Sequence, residues 1–387
     1  MNRRIGSSSR RPRRGPAALA TCAAASCLLT AALVTGCSGD QPRAAAVVTS
    51  PTIPTATLPT GGTTSPGTGS PTATGTGTAS PTGTASPTGT ASPGAGQTLT
   101  ATTAPYKLPN PVTGATAVAD DGKILALGGQ DSSGRPTDQV TAIDPSANSA
   151  SPAGTLNTAV THAAGSVVSG TVTVFGGNSK GSSDASGVTD VVQTYTNGTS
   201  QQVGKLPAKR ENLGATTANG KTYLAGGDDG KTGQSDIWAT SDGKTFQTVG
   251  KLATPVRNAA VATTGTGSDQ KVTVFGGQTT SGPTDAIQQF DPSTGSTSTV
   301  GKLPAGLTGA SAFTVNGTTY LAGGQSGGTD QTKIYKFDPS TNTVTEAGDL
   351  PSGVTNAAAA ATGNSAYLVG GESSNKPISD VTELSPR

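Results

Sequence analysis

Thr222-Tyr223-Leu224-Ala225-Gly226-Gly227 is a short apolar run closed by a glycine doublet, and the chain repeats this arrangement six times. The doublets begin at Gly128, Gly176, Gly226, Gly276, Gly323 and Gly370, with spacings of 48, 50, 50, 47 and 47 residues. Strand-forming residues precede the other five: Ile124-Leu125-Ala126-Leu127, Val172-Thr173-Val174-Phe175, Val272-Thr273-Val274-Phe275, Thr319-Tyr320-Leu321-Ala322 and Ala366-Tyr367-Leu368-Val369. A fixed period of this length marks an array of supersecondary units, each burying its apolar face against its neighbours. Two further markers keep the same period. A Leu recurs at Leu108, Leu156, Leu206, Leu252, Leu303 and Leu350, and an Asp at Asp138, Asp190, Asp236, Asp285 and Asp380, with Thr332 in its place in the fifth repeat.

Each repeat reads as four strands. A small-residue strand such as Ala215-Thr216-Thr217 or Ala357-Ala358-Ala359-Ala360 follows the Leu. A tight turn (Asp121-Gly122, Asn219-Gly220, Asn316-Gly317) leads into the strand that ends in Gly-Gly. A polar loop precedes a third strand ending at Asp144-Pro145, Asp291-Pro292 or Asp338-Pro339, and a Thr/Ser/Val-rich fourth strand returns to the next Leu. These features resemble the kelch repeat of the galactose-oxidase-type propeller superfamily. The resemblance implies an all-β fold: a six-bladed β-propeller over residues 98–387 with four-stranded blades. One departure is plain. The Trp usual after Asp-Pro in kelch outer strands is replaced by Ala150, Thr297 and Val344, with Phe246 in the third repeat, which implies lighter packing between blades. Small residues on the innermost strand suit the taper towards a propeller axis.

The sixth repeat stops at Arg387, after its third strand. Thr98-Leu99-Thr100-Ala101-Thr102-Thr103 has the composition of the other fourth strands, so the N-terminal strand is expected to complete the last blade and cover its edge.

The 97 residues before the array do not share its pattern. Residues 1–36 hold Arg3, Arg4, Arg10, Arg11, Arg13 and Arg14, no acid, and an apolar run from about Ala17 to Val34, which reads as a secretion signal. Without it the net charge of +2 becomes −4. Val34-Thr35-Gly36-Cys37 resembles the bacterial lipobox, which implies cleavage before Cys37, lipid on its sulfur, and a lipoprotein anchored at the extracytoplasmic face of the cell membrane. Cys22 and Cys27 fall within the signal, leaving no second thiol for a disulfide or a thiolate metal site. Residues 37–97 are a Thr/Ser/Pro/Gly-rich segment without aromatics, which reads as a disordered tether and resembles glycosylated stalks.

The chemistry-bearing residues favour binding over catalysis. His162 is the sole His, and no nucleophile elbow accompanies it. The Cys, Tyr and two His that hold copper in galactose oxidases cannot be assembled, so no cofactor or metal is expected. The mildly acidic chain lacks the basic stripe that nucleic-acid binding needs, and a monomer is expected. Five and six residues past each marker Leu, two rings are expected at one mouth of the channel. Their candidate ligand-binding members are Thr161, His162, Glu211, Asn212, Arg257, Asn258, Thr355 and Asn356. Hydroxyls and amides there suit a polar ligand, or else bond backbone and water between blades. Glu211 and Arg257 are expected to pair, the recurrent Asp residues to fix loops by local Asx bonding, and Asp228-Asp229-Gly230 to be an acidic turn. The expected function is an extracytoplasmic, lipid-anchored binding or scaffold module for a protein or cell-wall glycan. The alternatives are a carbohydrate-active enzyme on the same fold and a purely structural surface protein.

Overall fold

A computed structural model describes residues 98–387; the expected signal (1–36), Cys37 and the linker (37–97) lie outside the described residues. Five four-stranded antiparallel sheets and one closing sheet form six blades. Blade 1 comprises Thr116–Asp120, Lys123–Leu127, Gln139–Asp144 and Ser149–Thr155. Blades 2 to 5 repeat it over residues 164–205, 211–251, 260–302 and 311–349. Blade 6 comprises Ala358–Thr362, Ser365–Val369, Lys376–Pro386 and, outermost, the N-terminal strand Leu99–Val112. The closing strand is longer than the expected six residues. Its register runs from Leu99 opposite Pro386 to Val112 opposite Ile378, with bulges on either side of Lys107. Arg387 N–H donates to the Thr98 carbonyl at 3.0 Å, so the two ends of the propeller meet.

The blades share no single core. Six hydrophobic clusters each sit between two adjacent blades. The closing strand feeds two of them: Leu99 packs between blades 5 and 6, and Leu108 with Val112 between blades 6 and 1. The six marker Leu residues are all buried. Where Trp is missing from the outer strands, Phe246 packs edge-on against Phe175 at 6.1 Å.

Gly-Gly has a more specific task than close approach to the channel. The second glycine's N–H donates to a carbonyl in the loop that enters the following blade. The six bonds Gly129→Val160, Gly177→Arg210, Gly227→Val256, Gly277→Leu307, Gly324→Val354 and Gly371→Val112 all measure 2.8 Å. In each doublet the first glycine holds a positive φ, and a Cβ on it would strike that same carbonyl. The sixth bond joins the last blade to the closing segment.

The recurrent Asp residues do not make the expected Asx turns. Asp190, Asp236, Asp285 and Asp380 instead meet Lys205, Lys251, Lys302 and Lys107 across the third and fourth strands at 2.8–3.5 Å. Blade 5 inverts the charges, with Lys333 on Asp349 at 3.2 Å. A Lys directly before the marker Leu wins because it hangs over the opposing strand end, within reach of the carboxylate. Asx bonding occurs at other acids, such as Asp131, Asp144, Asp291 and Asp338.

A chain shortened to begin at residue 110 lacks both Leu99 and Leu108 and bares the edge of Lys376–Pro386. Its melting temperature is expected to fall by at least ~10 °C, read by circular dichroism. Equal melting of the two chains would contradict closure by this strand.

Candidate functional site

The channel mouth is built by the residues that follow each marker Leu and each Gly-Gly. At the sixth residue past the Leu, all six positions have positive φ. Their backbones form a closed ring, each N–H donating to the carbonyl of the equivalent residue on the preceding blade. It runs His162→Gly114, Asn212→His162, Asn258→Asn212, Gly309→Asn258, Asn356→Gly309 and Gly114→Asn356, at 2.7–3.2 Å. Left-handed backbone explains the Asn and Gly at these places, and His162 bears the same conformation. Gly309 carries no side chain because Asn258 Nδ2 reaches across it to Asn356 Oδ1 at 2.9 Å; a Cβ there would lie 2.6 Å from that oxygen. The ring and the residues after it, five alanines and Leu213, enclose about 120 Å³, space for a few waters.

The fifth-position residues do not line that cavity. Each bridges to the residue directly after Gly-Gly on its own blade: Thr113 to Gln130, Thr161 to Asn178, Glu211 to Asp228, Arg257 to Gln278, Thr308 to Gln325 and Thr355 to Glu372. This acid-or-amide ring was missed by the sequence reading, although its signal is visible as Gly-Gly followed by Gln, Asn, Asp or Glu in every repeat. Thr161 and Thr355 are buried, and their hydroxyls already have partners, His162 Nδ1 at 3.0 Å and the Gly309 carbonyl at 3.4 Å. Thr113 donates to Glu372 Oε1 at 2.9 Å.

Sixfold equivalence breaks at blade 3. The residue before the fifth position is Val or Leu in five blades and Arg210 in this one. Arg210 is 2% exposed, lies over the Trp238 ring with Cζ 4.1 Å from its centre, and donates from Nη1 to the Gly226 carbonyl at 2.9 Å. Burial pulls it down to about 10, partly offset by Asp236, Asp229 and Asp228, so it stays charged at neutral pH. Trp238 is therefore packing, closed on one side by a cation.

Glu211 is 4% exposed, and its Oε2 has no hydrogen-bond partner. Burial, then the Asp228 carboxylate, push it up to about 7, against the opposing pull of Asn178 and Arg257. The expected Glu211–Arg257 ion pair is not formed. Glu211 is buried beside Asp228, whereas Arg257 is exposed and, apart from its backbone bonds to Gln278, its guanidinium makes no hydrogen bond or ion pair among the described residues. Asp228 is likewise no solvent-facing turn. At 1% exposed, it accepts from Asn212 Nδ2 at 3.0 Å through one oxygen and from Gly230 N–H at 2.8 Å through the other. His162 is pushed down to about 4 by its enclosure, which outweighs Asp228, so it is neutral in the channel. Blades 2 to 4 thus hold a free buried acceptor, a free exposed guanidinium and a neutral imidazole around one side of the mouth.

Glu211 and His162 impose opposite pH slopes. The folded state holds the Glu211 proton more tightly than the unfolded chain, so stability falls as pH rises from about 4.5 to about 7. His162 resists protonation when folded, so stability falls as pH drops from about 6.5 to about 4. Glu211→Gln removes only the first slope. Relative to wild type, the variant is expected to gain on the order of 2 kcal/mol between about pH 4.5 and 7.5, measured by chemical denaturation; a pH-independent difference would contradict a protonated Glu211.

Residues 111–149 and 306–351, in the first and fifth repeats, match the Kelch motif. No curated protein matches the chain. A solved structure titled "Structure of YjhT" superposes with a TM-score of 0.60 at 17% identity, covering 72% of this chain and 96% of that one, a likeness of fold. With two repeats matching the motif and six Gly-Gly latches of one geometry, the chain carries kelch repeats, and its residues 98–387 fold as a six-bladed β-propeller.

Proposed function

We propose that this protein is an extracytoplasmic, lipid-anchored binding module that recognises a protein or a cell-wall glycan through the propeller face carrying the Gly-Gly loops. Kelch propellers serve broadly as protein-binding or scaffold modules, and the motif matches support that coarse reading. The signal, the lipid on Cys37 and the linker remain part of the proposal, carried by the basic–apolar–lipobox order of residues 1–37. The observation that carries the site is the break in equivalence at blade 3. A buried carboxyl with an unpartnered oxygen costs free energy that a Thr at the same position would avoid, as four other blades show. Next to it, Arg257 offers donors that no residue of the propeller uses. Exposed guanidinium donors at a mouth rimmed by amides, with the strained carboxyl buried behind them, suit a polar ligand rich in hydrogen-bond acceptors.

Arg257 is exposed, so Arg257→Ala is expected to leave the melting temperature unchanged while lowering retention on purified cell-wall polymer and on a glycan array at least about tenfold. Undiminished retention by the variant would contradict a ligand at this mouth. Turnover of a bound glycan that disappears with Glu211→Gln would favour an enzyme instead.

A further inference from the structure

A second departure from equivalence lies away from the axis, where the closing strand meets blade 1. The position concerned is the third residue of the third strand in blades 1 to 5, with Thr382 matching it in blade 6. In blades 2 and 4 it is a fully buried Gln whose carboxamide clamps the loop entering that blade. Thr158 N–H donates to Gln193 Oε1 at 3.0 Å, and Gln193 Nε2 donates back to the Thr158 carbonyl at 3.0 Å. Gln288 does the same to Thr254 at 2.8 and 3.0 Å. In blades 3 and 5 the place is filled by Trp238 and Tyr335.

Blade 1 has Thr141 there, too short to reach the loop. The loop residue in register with Thr158 and Thr254 is Asn110, two places past its marker Leu. Asn110 has no ladder partner, lying in the irregular stretch between Lys107 and Val112. The unfilled space is a groove of about 860 Å³ whose lining includes Pro109, Asn110, Pro111, Arg135, Asp138 and Thr141. Asp138 is also the one member of the Asp–Lys series with no counter-ion, because Thr155 stands where the other outer strands bring a Lys or its inverted partner. With Asp131 also in the lining, the groove is acidic despite Arg135.

Two sibling blades therefore specify what is missing from the groove. A primary carboxamide presents C=O and N–H on the same side, so it alone among side chains answers a backbone N–H and C=O of one residue; a carboxylate cannot donate, and a secondary trans amide points its two groups apart. A cation beside it meets the free carboxylate. We propose that the seam groove docks a protein partner through a segment that places a Gln side chain on Asn110 and an adjacent Lys on Asp138. This site is separate from the axial mouth and does not depend on the reading of that mouth.

The probe is the peptide acetyl-Gly-Lys-Gln-Gly-amide, added at millimolar concentration to the isotope-labelled full chain and followed by backbone amide shifts. Shifts are expected at Asn110 and around Asp138, with at least tenfold weaker binding when Glu replaces Gln in the peptide. Thr141→Gln supplies the clamp from within, as Gln193 and Gln288 do. It is expected to raise the melting temperature by a few degrees, which reports that it folds, and to abolish the shifts. Asp138→Asn is expected to weaken binding several-fold, and Arg257→Ala to leave it unchanged. Absence of shifts at the seam, equal binding of the Gln and Glu peptides, or full binding by Thr141→Gln would each overturn the proposal. So would a glycan fragment that shifts the same amides when the peptide does not.

Discussion

Six hydrogen bonds of one length hold this propeller together, each running from the second glycine of a doublet to a carbonyl at the entrance of the following blade. A single four-stranded blade exposes two apolar faces and cannot bury them alone. The latch sets the distance at which neighbours meet, and only a doublet without side chains lets the carbonyl come so close. Everything else in the fold follows from repeating that contact around a circle. The clusters lie between blades, the marker Leu residues plug the interfaces, and the left-handed ring closes around the axis. The sixth latch is different in kind because it joins the two ends of the array through Val112. The long N-terminal strand is what makes that carbonyl available.

Repetition also supplies an internal reference for function. A residue shared by several blades shows what its position does when it is only structural, and a departure from it stands out. Arg210 where the other blades have Val or Leu, Glu211 where four have Thr, and Asp228 where four have a neutral amide all fall in blade 3, where burial and electrostatics are costly. Thr141, where two blades have Gln, lines the groove in blade 1, and Thr155, where four blades have Lys, leaves Asp138 there without a counter-ion. The first set concentrates charge at the axis, and the second leaves a groove at the seam. The two differ in chemistry and in location, so a protein built from one motif carries two distinct surfaces.

The architecture was legible because its determinants are local. Gly-Gly, the Leu marker and the Asn-Gly turns are each recognisable within a few residues of sequence, and the period counts the blades. The missing fourth strand of the last repeat placed Leu99 correctly, since an unpaired edge had one composition-matched candidate. The side-chain partners were less legible, because they join different strands of a blade, as Asp190 joins Lys205 and Arg210 meets Trp238. Register with the marker Leu put Glu211 and Arg257 in one ring, yet not the direction each side chain takes, so their expected pairing failed. The recurrent Asp residues were read by their own neighbours, whereas Asp190, Asp236, Asp285 and Asp380 pair with lysines on the next strand and Asp138 has no counter-ion. Arg210 escaped notice because a basic residue after Lys209 looks like a solvated face until Trp238 is seen beneath it.

The central claim, that the ring is closed by its first strand and behaves as one unit, is tested most directly by native-state hydrogen exchange at the six latch amides. Gly129, Gly177, Gly227, Gly277, Gly324 and Gly371 are expected to exchange together, with a common opening free energy equal to that of global unfolding. If Gly371 exchanged through a separate, lower-energy opening while the other five stayed protected, the seam would be a loose junction and the closed-ring account would be wrong.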